Sequence, residues 1–517
     1  MLTRRQTLGL LAAAPGLKIA RADDALPIAP GPFKGTRDSL KAWEVPAWYR
    51  DAKFGMWAHW GPQSAAEAGD WYARNMYIQG QRQYDYHVKT YGHPSKFGFK
   101  DVIATWKADK FDPDHNMQLY KKAGAKYFCS MGVHHDGFDL WKSTHQPRWN
   151  STASGPKIDV VGMWKQAAYK HGLKFAVSEH LAPSYLWFSV SHTSDKTGPL
   201  AGVPYDGVDP AYSDLYHEYP ADFNFANPGN GFGNRGIPDS WKLHYYKRIK
   251  DLVDNYQPDL LYTDGGIYYD EYGLAVVANH YNVNARLHGG RCEAVYTSKT
   301  PTDCATGTCI LDLERGMANG ISENHWQTDT CIGEWHYRRD ITYKSPKRVI
   351  DMLVDIVSRN GNLMLNFPLP NNGQLDDQEL KILDELARWI AVNGEGIYAT
   401  RPWKIFGEGP VASAPAAAGG RGAGFNESRR KDLTAEEIRF TTKGSTLYAF
   451  VMGWPEKQTV VKAFSTSSAV AAFKVRNVEL LGFKGKLKWT QDENGLTVQL
   501  PAEKPTDHAV CLKVFGA

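Results

Sequence analysis

With 517 residues the chain is too long for one ordinary core, so two domains are expected, one of them large. Its 60 Lys plus Arg against 56 Asp plus Glu leave a net charge of +4 with no basic block or acidic tail, which excludes an electrostatic argument for a nucleic-acid partner. An aromatic content of 13%, with 17 Trp and 27 Tyr often set beside Gly, Asp and His, suits a compact ligand such as a sugar, whose C–H faces pack on rings while polar neighbours hold its hydroxyls.

Residues 1–22, MLTRRQTLGLLAAAPGLKIARA, combine Arg4 and Arg5, an apolar run from Leu8 to Ala14 and an Ala20-Arg21-Ala22 ending. This pattern is that of an export signal of the twin-arginine type. No later run approaches the ~18 consecutive apolar residues of a membrane span, so a periplasmic or secreted protein without a membrane partner is expected. Outside the cytoplasm the six cysteines are free to oxidise, and one bridge is expected among Cys292, Cys304, Cys309 and Cys331. Paired Cys-x-x-Cys or His-x-x-x-His spacings are missing, so neither a metal nor another cofactor is expected.

From Ala47 to Arg401, strand-length apolar runs alternate with amphipathic stretches. KFGMWAHW, AKYFCSMG, LKFAVSEH, PDLLYTDGG, CILDLE and GNLMLNF read as strands. DPDHNMQLYKKAG, DVVGMWKQAAYKHG, WKLHYYKRIKDLVDNYQ and SPKRVIDMLVDIVSRNG read as helices with Gly or Asn stops. Near-continuous apolar strands separated by helices imply a parallel sheet covered on its faces. An α/β fold with a (β/α)8-type barrel and long loop insertions follows for residues 23–405, its chemistry at the strands' C-terminal ends. There the sequence places His134, His135 and Asp136 after AKYFCSMG, and Asp264 after PDLLYT, where two glycines let the chain turn without covering the carboxylate.

Glycoside hydrolysis requires a second carboxyl group. Asp312 and Glu314 in CILDLERG point the same way if strand alternation holds, and Glu293 and Glu323 compete with them. Glu314 is preferred as acid/base because its position resembles that of Asp264, and Glu293 is the alternative. Residues 406–431 form an Ala/Gly-rich loop or linker. Residues 432–517 read as a C-terminal antiparallel β-sandwich with a hairpin at ENG, expected to brace the barrel and not to catalyse.

The barrel portion resembles the α-L-fucosidases of glycoside hydrolase family 29, through WYRDAKFGMWAHWGPQS, KYFCSMGVHHDGFDLWKS with its following WNS, PDLLYTDGG, WQTDTCIGEWHY, LVDIVSRNGNLMLNFP and GIYATRPWKIFGEGP. The resemblance implies a retaining double displacement that releases terminal α-L-fucose without metal or organic cofactor. It also implies Asp264 as nucleophile, His59, His134 and His135 as hydroxyl ligands, and Trp71 as pocket lining. Arg286 loosely matches a family arginine. Two departures touch specificity: Asp70 stands before Trp71-Tyr72 where the family commonly has Glu, and Val177-Ser178-Glu179-His180 replaces a strand end that commonly carries tyrosines. A shortened Asp70 and a new His180 can change which hydroxyl is read. The rival readings are a hydrolase of another L-sugar (an L-galactoside or L-glucoside), a non-catalytic carbohydrate-binding protein and, last, a metal-dependent hydrolase built on His134, His135 and Asp136.

Overall fold

The computed structural model describes residues 26–516, apart from 228–231, 233–235, 414–423, 431, 469 and 471–473. The predicted export signal lies outside the described residues. Eight parallel strands close into a barrel: β1 (Phe54–Ala58), β2 (Tyr127–Val133), β3 (Lys174–Glu179), β4 (Leu260–Thr263), β5 (Val295–Ser298), β6 (Ile310–Asp312), β7 (Trp326–Cys331) and β8 (Gly361–Asn366), the last pairing back with β1. Six of these are the apolar runs read from the sequence. The other two escaped that reading: β5 has only four residues, and β7 is WQTDTC, polar at most positions although wholly buried.

Gln327 of that strand is satisfied inside the barrel. Tyr49 and Tyr127 hydroxyls donate to Gln327 Oε1 at 2.8 and 2.9 Å, and Gln327 Nε2 donates to Asp312 at 2.8 Å. Gly55 makes room for this cluster, since a Cβ there would lie 2.3 Å from the Tyr127 ring.

The predicted helices form at Pro113–Lys122, Val160–Lys170, Asp239–Tyr256 and Pro346–Ser358. Asp112, Asp159 and Ser345 cap three of them by accepting from backbone N–H groups of the first turn. Between β5 and β6 only the four residues Pro301–Cys304 are helical, so this sector of the wall is closed by loops. Cys304 and Cys309 form a disulfide here, and Cys292 and Cys331 are free thiols.

The C-terminal part comprises two antiparallel sheets. The larger orders as β13-β16-β11-β10-β9, from Val475–Leu480, Val510–Gly516, Thr446–Val451, Ile438–Lys443 and Arg401–Glu408. The smaller is β12-β15-β14, from Gln458–Val461, Gly495–Gln499 and Lys488–Asp492, with the ENG turn joining β14 to β15. The first strand of the larger sheet, β9, precedes the Ala/Gly-rich stretch and crosses the boundary drawn at residue 405, because its hydrogen-bond partner is β10 and not a barrel strand. Buried Arg439 on β10 donates to Asp355 of the Pro346–Ser358 helix at 2.6 Å, and Trp389 donates to the Ala509 carbonyl at 2.6 Å, so the sheets are fastened to the barrel. Among the described residues no helix is long and apolar enough to cross a membrane.

Candidate active site

The C-terminal ends of the strands ring a cavity of about 830 Å³ whose lining includes His59, Asp70, Trp71, His134, His135, His180, Asp264, Lys299, Glu314 and Asp329. Asp70 comes from the loop after β1 and Asp329 lies within β7, but most of the polar side chains arrive there for one reason: each lies just past the C-terminal end of a barrel strand. His59 follows β1, His134 and His135 follow β2, His180 follows β3, Asp264 follows β4, Lys299 follows β5 and Glu314 lies just past β6.

Lys299 is the hub. Its Nζ lies 3.0 Å from Asp264 Oδ1, 2.5 Å from Glu314 Oε2 and 3.4 Å from Asp329 Oδ2. The bonded oxygens of Asp264 and Glu314 can therefore be no farther apart than the sum of the first two distances. That bound is compatible with the roughly 5–5.5 Å spacing of retaining hydrolases. On its other oxygen Asp264 meets His135 Nε2 and His180 Nδ1, each at 3.3 Å.

These surroundings split the two acids. Burial alone would raise the Asp264 carboxyl, but the Lys299 charge and the contacts with His180 and His135 more than offset it and hold Asp264 well below the usual carboxylate range. Glu314 is pushed up to about 7, first by burial and then by the Asp329 and Asp264 charges, with Lys299 only partly opposing. One group stays ionised and the other carries a proton near neutrality, the division of labour a nucleophile and a general acid need.

Burial keeps three of the pocket histidines neutral. His59 and His134 lie well below the ordinary imidazole range, and His180 is lowered to about 4. Gln63 Nε2 donates to His134 Nδ1 at 2.8 Å, which leaves the Nε2–H of that neutral ring to donate into the pocket. His59 Nδ1 is buried without a hydrogen-bond partner among the described residues, and an unmade bond of that kind costs about 1–3 kcal/mol that a sugar hydroxyl would recover. Trp57 and Trp335 flank the His59 ring at 4.0 and 4.9 Å between centroids. Asp70 is held at the mouth by the backbone N–H of His336, which donates to its Oδ1 at 2.7 Å.

Among the described residues two groups have ligand spacing for a metal ion, His59 with His134 and His180, and His135 with His180 and Asp264. The tautomer set by Gln63 turns an N–H of His134 toward the first, and the Lys299 ammonium already neutralises the carboxylate of the second. The donor set thus fits hydroxyl groups better than a cation.

Three candidates lie elsewhere. Glu293 precedes β5 and stands at the opposite rim of the barrel, paired with Arg291 and 3.7 Å from His288. Glu323 precedes β7 and shares that rim. Arg286 sits in the last turn of the Glu271–Leu287 helix and lines a separate outer cleft with Pro27 and Ile28. Residues that lead into a parallel strand face the wrong end, whatever their distance in sequence from Asp264. Conversely, Lys299, Asp329, Trp335 and His336 were not read from the sequence. For Lys299 and Asp329 the signal was the polar end of VYTSK and the alternation in WQTDTC, both too short or too polar to be recognised as strands, whereas Trp335 and His336 lie in the loop after β7.

Lys299→Met removes the charge at similar volume. Because the ammonium lowers both carboxyls, its loss should raise both, moving the acid and alkaline limbs of the kcat/KM profile together to higher pH, with a fall of about 10²-fold or more at the maximum. A pH–rate profile of the variant checks this, and limbs that stay in place contradict it.

The alpha-L-fucosidase family model matches residues 22–395, and the model of the alpha-L-fucosidase C-terminal domain matches residues 430–515. The tissue alpha-L-fucosidase of Mus musculus is 27% identical over 509 residues, covering 93% of each chain. A Thermotoga maritima alpha-fucosidase solved in complex with a mechanism-based inhibitor is 24% identical, covers 93% of this chain and 100% of its own, and superposes with a TM-score of 0.71. The same enzyme in complex with fucose superposes with a TM-score of 0.67 at 24% identity. With the family model spanning most of the barrel and its companion spanning the C-terminal sheets, the chain belongs to the alpha-L-fucosidase family.

Proposed function

We propose that the chain is an exo-acting, retaining glycoside hydrolase that releases terminal α-L-fucose from glycans or glycosides. The observation that carries this reading is the pair of carboxyls on one ammonium, Asp264 and Glu314, spaced for double displacement and biased to opposite protonation states. In the first step an Asp264 oxygen attacks C1 while the C1–O bond to the aglycone breaks and that oxygen takes the Glu314 proton. In the second, the Glu314 carboxylate takes a proton from water, whose oxygen attacks C1 from the opposite face and frees Asp264. His59, His134, His135 and His180 hold the hydroxyls of the glycone, and Trp71 lines its pocket.

Asp70 and His180 favour weighing a second reading, hydrolysis of another L-configured sugar, because both touch the pocket where the family commonly places other side chains. A panel of 4-nitrophenyl α-L-fucoside beside its L-galacto and L-gluco analogues separates the two. The fucoside is expected to give the highest kcat/KM. Preference for either analogue would move the assignment, and binding of fucose with no turnover of any member would leave a carbohydrate-binding protein. The export-signal pattern in the sequence of residues 1–22 and the Cys304–Cys309 bridge support action in the periplasm or beyond the cell.

A further inference from the structure

Phe425 comes from the connection between β9 and β10 of the larger C-terminal sheet, yet it lines the catalytic pocket with 52% of its surface exposed. A large apolar ring left half in water at a pocket mouth is a surface for an occupant to cover.

The backbone that carries this ring is built into the barrel rim. The Phe425 N–H donates to the Glu314 carbonyl at 2.8 Å, the Glu427 N–H donates to the Arg315 carbonyl at 3.0 Å, and Asn426 Nδ2 donates to the Met317 carbonyl at 3.2 Å. Buried Glu427 anchors the strap: it accepts from Thr330 Oγ1 at 2.6 Å, pairs with Lys344 at 2.6 Å, and its carbonyl accepts from Arg348 at 2.9 Å. Phe425 itself is held at φ +51°, a left-handed conformation that a bulky residue adopts only when its surroundings impose it. The ring is thus positioned by bonds to Glu314 and its neighbour.

Direction follows from the chemistry of the proposed reaction, on which this inference rests. The glycone is enclosed by the histidines and Asp264, and the Glu314 proton must reach the oxygen that leaves C1. The aglycone therefore extends outward on the Glu314 side, where Phe425 stands. We propose that Phe425 is the platform of an aglycone subsite, stacking on a leaving group that presents a flat apolar face, either an aryl ring or the C–H face of a pyranose.

The test compares wild type, Phe425→Ala and Phe425→Tyr on three substrates: α-L-fucosyl fluoride, whose leaving group is one atom, 4-nitrophenyl α-L-fucoside, and an α-L-fucosyl galactoside. Phe425→Ala is expected to lose about 10-fold in kcat/KM on one or both substrates with a ring aglycone, stay within about twofold on the fluoride, and be restored by Phe425→Tyr. Loss on the aryl substrate alone assigns an aryl aglycone, and loss on the galactoside alone assigns a sugar. Equal loss on all three, which a disturbed strap around Glu314 would produce, overturns the platform, as does no loss on either ring aglycone. Failure of wild type to turn over even the fluoride is a different result: it removes the fucosidase reading, and this subsite with it.

Discussion

Asp264→Ala is expected to lower kcat on 4-nitrophenyl α-L-fucoside by about 10⁴-fold or more, because the attacking atom itself is lost and no other group can form the glycosyl ester. Asp329, the third acid on Lys299, cannot substitute: its Oδ2 accepts from the Tyr262 hydroxyl at 2.9 Å and it lies deeper in the barrel, only 1% exposed. Truncation at residue 264 also opens space beside C1. Added azide should enter that space and restore turnover, and its product should be the fucosyl azide of inverted configuration, since a single displacement replaces two. Full activity without azide, or a rescued product of retained configuration, would be incompatible with Asp264 as nucleophile.

Glu314→Ala has a different signature. General acid catalysis contributes roughly 10²–10⁴-fold, and the contribution grows as the leaving group becomes more basic. The variant should therefore lose most activity on an α-L-fucosyl galactoside while still glycosylating quickly with a fluoride or a 2,4-dinitrophenyl leaving group. The ester then persists, because the base that activates water is also missing, and azide should release it as the azide of retained configuration. In wild type the alkaline limb of kcat/KM should fall as Glu314 loses its proton near pH 7, and that limb should vanish in the variant. Equal losses on good and poor leaving groups would remove Glu314 from the role of acid.

The same features of the residues explain what could be read from the sequence and what could not. Apolar runs such as PDLLYT and AKYFCSMG declare buried parallel strands, and the rule that chemistry sits where such strands end placed Asp264, His134 and His135 at the pocket. Strands β5 and β7 broke the pattern. VYTS is barely one strand long, and QTDTC points Gln327 and Asp329 into the barrel interior, where Tyr49, Tyr127 and Asp312 bond Gln327 and the Tyr262 hydroxyl donates to Asp329. Losing those two strands concealed Lys299, the group that joins the two acids. It also removed the information on chain direction that excludes Glu293, because only a located β5 shows that residue entering the barrel and not leaving it.

Phe425 was hidden for another reason. Its neighbours in AAAGGRGAGF carry no periodicity, so composition marks the stretch as a linker. Its role depends on backbone bonds to Glu314 and Arg315, more than a hundred residues away in sequence, and no local pattern encodes a pairing of that range.

The most direct measurement is to incubate the enzyme with 2-deoxy-2-fluoro-α-L-fucosyl fluoride, whose fluorine at C2 slows both steps while its anomeric fluoride keeps attack faster than release, and then digest it and sequence the labelled peptide by mass spectrometry. One fluorofucosyl group esterified to Asp264 is the expected result. A label on Glu314, Asp329 or any other residue, or hydrolysis of the reagent to the inverted sugar with no labelled peptide, would contradict the pairing of Asp264 with Glu314.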